Sequence, residues 1–327
     1  MRIVRDVAEL RRDDRPRLVA VGVFDGVHRG HQRILRELVS RAAACGGRSV
    51  ALTFEPHPLE VVGPNGAPPL LTPPQAKLDL MAELGVDTAL VMDFSPDLAR
   101  MSPREFAVEV LGRALGSSQV LVGFNFTFGH RGQGRAGTLV RLGREAGFKV
   151  TVFPPIRVGG RCVSSSAVRE LVQGGEVDQA ALLLGRPHRV GGVVEAGERR
   201  GRALGFPTAN LRPDPALAYP APGVYAVTVL WGGRSWGGVA NLGQRPTFGG
   251  GRNWLEVHLL GFDGDLYGQW LEVDFERRLR DERRFGSVEE LRAQIARDVS
   301  CAQAVLRDLA GADGGPAHLQ RPESVLK

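Results

Sequence analysis

Two imidazoles and two glycines crowd into one short stretch of the 327-residue chain, where His28, Arg29, Gly30 and His31 follow an apolar run that stops at Asp25-Gly26. The chemistry that suits them is phosphate handling. A helix beginning at these residues presents unpaired N–H groups and the positive end of its dipole. Gly26 and Gly30 carry no side chain to keep backbone amides from an incoming anion, and the imidazoles add donors to the same cradle. Taken alone, H-x-G-H also describes an ordinary strand-to-helix turn with surface histidines. The apolar strand before it and the glycines beside it favour a cradle for an exposed nucleotide.

The elements that position the cradle follow from periodicity. The apolar run from residue 18 to the stop at Asp25-Gly26 reads as a strand, and Ile34, Leu35, Leu38, Val39 and Ala42 recur at helical spacing until Gly46-Gly47 ends the helix. A second strand at 49–54 runs into Glu55-Pro56-His57-Pro58, whose prolines fix a non-helical exit and place His57 on a loop at the strand's C-terminal end. A proline-rich loop precedes a short helix, and a third strand spans 87–94. A capping box at Ser102-Pro103-Arg104-Glu105 opens a helix to about Leu115. A fourth strand at 119–122 ends in the glycine-rich loop that holds Asn125, and a strand at 149–153 completes the alternation. The first part is therefore an α/β doubly wound parallel sheet, in which ligands bind outside the C-terminal strand edge. Ser164 then caps a short helix carrying Arg169, and a second short helix follows.

From about Gly185 the strands come without long helices between them. The runs HRVGGVVEAG, GVYAVTVLW, RSWGGVANLG, NWLEVHLLGF and QWLEVDFERRL favour a small antiparallel β-barrel. A capping box at Ser287-Val288-Glu289-Glu290 opens a closing amphipathic helix, and residues 312–327 are polar and aperiodic, as in a mobile tail.

Composition narrows the partners. A net charge of +6 suits anionic ligands without choosing between nucleic acid and phosphate-bearing small molecules. Cys45, Cys162 and Cys301 form neither a disulfide framework nor a zinc site. The charged N-terminus does not resemble a signal peptide, and no apolar run approaches the ~20 residues of a membrane span, so a cytoplasmic setting away from membranes is expected.

Four separated blocks, GVFDGVHRGH, TFEPHP, GFNFTFG and SSSAVR, resemble those of the H-x-G-H nucleotidyltransferase superfamily, and more closely its flavin adenylyltransferase branch. The last block departs from the family's SSTxIR at Ser166 and Ala167. Downstream, GRALGFPTAN, PGVYAV, GVANLGQRPTF, EVHLLGFDGDLYG and LRDERRF resemble the riboflavin kinase module, in order. With both modules on one chain, the sequence resembles the bifunctional prokaryotic riboflavin kinase/FAD synthetases. The resemblance implies an FMN adenylyltransferase domain at 1–185, a riboflavin kinase domain at 186–311 and a tail at 312–327.

It also implies roles. His28 and His31 stabilise charge at the α-phosphate of ATP, while Asn125, Ser164, Ser165 and Arg169 bind ATP from the other side. Phe54, His57 and Phe128 line loops where a flat flavin could stack, although a core place is the commoner one for phenylalanine. In the kinase module Glu256 is the base for the riboflavin 5′-hydroxyl, and Gly201 and Gly205 let a loop close over phosphates. Thr208 and Asn210 supply neutral oxygens suited to a Mg²⁺ that also takes phosphate oxygens. The expected substrates are riboflavin, FMN and ATP, with no nucleic-acid partner. Two other readings stay open at this point: a riboflavin kinase with a degraded adenylyltransferase domain, and an RNA-binding H-x-G-H/barrel protein. Against the second, the chain has no KMSK-like loop and no arginine-aromatic stripe.

Overall fold

The computed structural model describes residues 1–10, 14–64, 66–196, 205–245 and 252–311. Gly201 and the segment 312–327 therefore lie outside the described residues. Contacts divide the chain into two compact units, Met1–Ser165 and Ser166–Lys327.

In the first unit six parallel strands, β1 (Arg2–Val4), β2 (Arg17–Val21), β3 (Arg48–Glu55), β4 (Thr88–Asp93), β5 (Ser117–Gly123) and β6 (Lys149–Phe153), lie in the order β1-β4-β3-β2-β5-β6. Both faces are covered, which is why the strands read as near-continuous apolar runs. Leu18 and Ala20 of β2 face helices α1 (Arg29–Ala44) and α2 (Pro74–Glu83) through Leu35, Leu38, Leu78 and Met81. Val19 and Val21 face the opposite layer, made by a helical segment over Pro103–Glu105 and Phe106–Ala114 together with α3 (Ala136–Ala146). The sheet is thus doubly wound, and the strand order reverses between β2 and β5. Ligands of open α/β sheets bind outside the carboxyl ends of the strands at such a reversal.

Two features depart from the sequence reading. The charged N-terminus contributes an edge strand, β1, paired with β4, which at three residues is too short to show a period. The Ser102–Glu105 capping box forms with bonds of 3.2 and 2.7 Å, yet the helix continues in π form, Leu115 N–H donating to the Val110 carbonyl at 2.9 Å. That wider turn accompanies a close approach, for a Cβ at Gly112 would stand 3.3 Å from Ala146 Cβ on α3.

Helix α4 (Ser165–Gln173) begins on the last residue of the first unit and runs into the second, where helix α5 (Val177–Leu184) follows. The second unit's strands β7 (His188–Glu195), β8 (Ala209–Leu211), β9 (Gly223–Trp231), β10 (Arg234–Arg245), β11 (Arg252–Leu259) and β12 (Trp270–Arg280) form a closed barrel in the order β7-β8-β11-β10-β9-β12. All its pairings are antiparallel. Five of these strands are expected from their alternation; β8, only three residues long, is not. It bridges β7 and β11, so the barrel closes through it. Helix α5 packs Val177, Ala180, Leu183 and Leu184 inward and touches β7 and β12. The closing helix α6 (Val288–Gly311) seats Ala302 and Val305 on Val224, Ala226 and Val239. Buried Asp298 anchors it, taking Arg280 Nε and Nη2 at 3.0 and 2.7 Å and Gln294 Nε2 at 2.7 Å.

Candidate functional site

The carboxyl end of β2 leads straight into the turn before α1. His28 is the N-cap of α1, with extended backbone and a ring that is 5% exposed. Its Nδ1 accepts the His31 backbone N–H at 3.2 Å. That bond settles the tautomer of the neutral ring: the proton sits on Nε2, which becomes a donor for an anion. The His28 and His31 rings stack with centroids 3.6 Å apart and 15° between planes, and Phe24 meets His31 edge-on at 5.2 Å. His31 keeps one edge toward solvent, while its Nδ1 is enclosed without a partner among the described residues. Burial first, then the neighbouring His28 and Lys77, hold the His31 imidazole well below its usual titration range. The depressed titration range of His31 favours its neutral form at neutral pH.

Gly30 is required by this arrangement. A Cβ there would stand 3.0 Å from His28 Cε1 and 3.1 Å from its Nδ1. The turn itself is strained: Phe24, Gly26 and Val27 have φ of 56°, 79° and 38°. Non-glycine residues occupy that region at a cost of roughly 1–3 kcal/mol each and persist where the surroundings over-determine them. Those surroundings are present. Buried Asp25 accepts the backbone N–H groups of Leu71 (2.9 Å) and Thr72 (3.3 Å), and its own carbonyl accepts Ser165 Oγ at 2.9 Å. Buried Lys77 reaches in from α2, its Nζ 3.1 Å from Thr53 Oγ1 and 3.4 Å from the Val23 carbonyl. Sequence reasoning passed over Asp25, Thr53 and Lys77; an aspartate in a turn and a lysine at helical spacing look like solvated surface residues.

Asn125 lies just past the end of β5, across the strand-order reversal, in a turn closed by Phe126 N–H on the Gly123 carbonyl at 3.1 Å. A Cβ at Gly123 would stand 3.3 Å from Asn125 Oδ1 and 3.8 Å from Ile34 Cδ1, so Asn125 shares the edge with the first turns of α1. Val163 approaches Gly30 closely enough that a Cβ there would lie 4.0 Å from its Cγ1, which brings the Ser164-Ser165 segment to the same place. Arg169 stands one turn beyond Ser165 on α4.

The three candidate flavin contacts have different surroundings. Phe54 (9% exposed) meets Phe94 edge-on at 5.5 Å, and Phe128 (7% exposed) stacks on Phe126 at 5.4 Å, both within the core layer beneath β3. His57 is the N-cap of the short helix Pro58–Val62 rather than a loop residue. Its Nδ1 accepts the Leu59 N–H at 3.1 Å, because Pro58 suits the first helical position and Glu60 closes a capping box. Phe124, beside Asn125, is the exposed aromatic at this edge.

In the barrel, Trp254, Glu256 and His258 alternate on one face of β11 while Leu255, Val257 and Leu259 fill the interior. Register places Glu256 opposite Asn210 of β8 on one side and Asn241 of β10 on the other. Asn210 is buried, and its Oδ1 accepts Trp254 Nε1–H at 2.8 Å. His258 Nδ1 donates to the Pro207 carbonyl at 2.8 Å and its ring meets Phe206 edge-on at 5.6 Å, which fixes the Pro207-Thr208 segment beside the same face. Trp254 and His258, which hold Asn210 and the Pro207 carbonyl, are not singled out by the sequence; their spacing of two from Glu256 is the signal for a shared face. Gly205, at the edge of the described loop, has φ of 86°.

The donor set suits a magnesium ion that keeps most of its shell from solvent and phosphate. Thr208 and Asn210 offer a hydroxyl and an amide oxygen with one lone pair left beyond the indole bond, and no cluster of three or more His, Cys, Asp or Glu occurs among the described residues. Nearby, a Cβ at Gly243 of β10 would collide with the Glu282 carboxylate, so the chain after β12 crosses the barrel close to the rung where Gly243 pairs with Trp254. Beyond it a cavity of about 440 Å³ is lined by Arg283, Arg284, Phe285, Glu290, Ala293 and Arg297. Arg283 lies 4.8 Å over the Phe285 ring. Glu290 holds the loop by accepting Gly286 N–H at 3.0 Å, while its own N–H donates to Ser287 Oγ at 3.1 Å.

Residues 10–167 match the FAD synthetase family and residues 184–306 the riboflavin kinase family. The bifunctional riboflavin kinase/FMN adenylyltransferase of Pseudomonas fluorescens is 41% identical over 93% of this chain and 98% of its own. That of Escherichia coli K12 is 39% identical over 91% and 96%. A crystal structure described as a macrolide-efflux protein from Streptococcus pneumoniae superposes with a TM-score of 0.84 at 28% identity, covering 92% of this chain and 98% of that one. Among the described residues no helix is long and apolar enough to cross a membrane.

Proposed function

The chain belongs to the bifunctional riboflavin kinase/FMN adenylyltransferase family, and from that premise we propose how its two units divide the work. The protein phosphorylates riboflavin to FMN with ATP and adenylylates FMN with ATP to FAD and pyrophosphate. The observation behind the division is that the stacked histidines lie at the strand-order reversal of the first unit, whereas the Asn210–Glu256 rung lies in the barrel of the second.

In adenylyl transfer an FMN phosphate oxygen attacks the α-phosphorus of ATP and pyrophosphate leaves. The attacking group is already an anion, so the step needs charge stabilisation rather than a base. His28 Nε2–H, His31 and the start of α1 face the place where that charge grows. Asn125, Ser164 and Arg169 hold ATP; Ser165, whose hydroxyl is committed to the Asp25 carbonyl, fixes the loop that bears Ser164. Of the flavin contacts, His57 stands at the N-cap of its short helix, whereas Phe54 and Phe128 support the pocket from within the core.

In the kinase reaction the riboflavin 5′-hydroxyl oxygen attacks the γ-phosphorus, its proton passes to Glu256, and ADP leaves. Thr208 and Asn210 would hold a magnesium ion, which would supply positive charge to the phosphates. Gly205, with φ of 86°, gives the chain room to turn beside them. We place the enzyme in the cytoplasm, with no nucleic acid or membrane in either reaction. Incubating the protein with riboflavin, ATP and Mg²⁺ and separating the flavins by HPLC tests this: FMN should appear first and FAD after it. FMN alone would favour the kinase with a degraded adenylyltransferase unit, and neither product would reject the assignment.

A further inference from the structure

We propose that Lys77 is a positioning residue for adenylyl transfer, its buried ammonium clasping the Val23 carbonyl and the Thr53 hydroxyl and so holding the turn that delivers His28 and His31. The inference rests on the assignment of those histidines to that reaction.

The turn from Phe24 to Val27 has three residues at positive φ, two of them bulky. Something must keep it from relaxing. Val27 N–H closes it onto the Phe24 carbonyl at 3.0 Å, and Gln32 Nε2 takes the Val27 carbonyl at 2.9 Å from within α1. Asp25 ties it to Leu71 and Thr72, and Ser165 holds the Asp25 carbonyl. At the strand end the tie is Thr53 Oγ1, donating to the Val23 carbonyl at 3.0 Å, with Lys77 Nζ on both of these oxygens. Because Lys77 is 9% exposed, this cation has been taken out of water, which is costly unless it is paired. Burial lowers its titration range, and the nearby Asp25 and Glu55 carboxylates oppose that shift.

Composition points the same way. Only three of the 42 basic residues are lysines, so the chain uses arginine almost wherever a cation is wanted. A compact ammonium with rotatable donors fits between one carbonyl and one hydroxyl, where a planar guanidinium fork does not. The charged groups around His31 and Lys77 are each other, His28 at the N-cap of α1, Asp25 in the turn and Glu55 at the end of β3. Lys77 thus acts on the imidazoles twice, through the backbone it anchors and through its field.

The test compares full-length Lys77→Met and Lys77→Arg with wild type in FAD formation from FMN, ATP and Mg²⁺, using riboflavin phosphorylation by the same chain as an internal reference. Both variants should lose tenfold or more in kcat for FAD formation while phosphorylating riboflavin at the wild-type rate. In Lys77→Met the acid limb of the FAD-forming profile should move to higher pH, because His31 has lost a cationic neighbour; in Lys77→Arg it should stay. FAD formation within twofold of wild type in Lys77→Met would overturn the proposal. So would a loss of kcat with an unmoved acid limb, the mark of a merely structural lysine. If Lys77→Met does not fold, Thr53→Val decides, since it keeps the ammonium and the side-chain shape: a severalfold loss in kcat supports the proposal and a wild-type rate overturns it. Wild-type protein that forms no FAD, or His28→Ala that forms it at full rate, would instead mean that the functional assignment has failed.

Discussion

His188, at the start of the barrel's first strand, should make the second unit acid-sensitive by an amount the structure sets. The ring is 1% exposed, its Nε2 lies 2.8 Å from the Ala218 carbonyl, and its Nδ1 is enclosed without a partner among the described residues. The neutral form suits this place, with Nε2–H donating and Nδ1 bare; protonation would add an N–H with nowhere to point. Burial pushes the imidazole down to about 4, the Ala218 carbonyl works against that and Arg186 adds to it. The unfolded chain then takes up a proton at this site near its ordinary value while the folded one does not, so stability rises with pH across this window. It is fully present above about pH 6.5, falls as the pH drops from there, and is exhausted near pH 4, the total being about 3 kcal/mol by linkage. Between pH 8 and pH 5 the loss is about 2 kcal/mol. All four tryptophans (231, 236, 254 and 270) lie in the second unit, so urea unfolding followed by tryptophan fluorescence reports that unit alone. His188→Gln keeps a donor for the Ala218 carbonyl but cannot titrate. It should be less stable than wild type at pH 8, and the gap should shrink by about 2 kcal/mol at pH 5. Parallel stability curves for the two proteins would refute the reasoning.

Replacing His28 or His31 by Ala should slow FAD formation by an order of magnitude or more while riboflavin phosphorylation persists; equal loss of both activities would refute the division of labour. Gly30→Ala drives a methyl against the His28 ring, and the same split, read by the same HPLC separation, is expected from it. Glu256→Gln should fold normally and lose roughly 10²-fold or more in riboflavin phosphorylation while still converting added FMN to FAD; a wild-type phosphorylation rate would leave Glu256 as a surface residue. A fragment from residue 186 onward should make FMN and no FAD, and one from residue 166 should melt higher because it keeps the apolar face of α5 on the barrel.

The alternation of strands and helices up to Phe153, and the consecutive strands after Gly185, were legible because each element is long enough to show its period. β1 and β8 were not, since three residues carry no periodicity and their strand character comes from the neighbours they pair with. The site divides in the same way. His28, Gly30 and His31 stand out because their spacing is local. Lys77, Thr53 and Asp25 meet only through the sheet, the first and last of them 52 positions apart. Phe54 and Phe128 show the converse limit: an aromatic beside a site motif looks the same in sequence whether it faces the ligand or the core.

The late pairing that closes the barrel has a kinetic consequence. β7 joins β12 across about 80 residues of chain, and the rung between Asn210 and Glu256 spans 46. Contacts between residues so distant in sequence form slowly, because the loop between them must lose its freedom before they gain anything from meeting. Tryptophan burial can begin in the local hairpin between β9 and β10, whereas the rung waits for β8 to find β11. On dilution from denaturant, then, tryptophan fluorescence should recover ahead of riboflavin phosphorylation, and the interval between the two is the time the barrel takes to close.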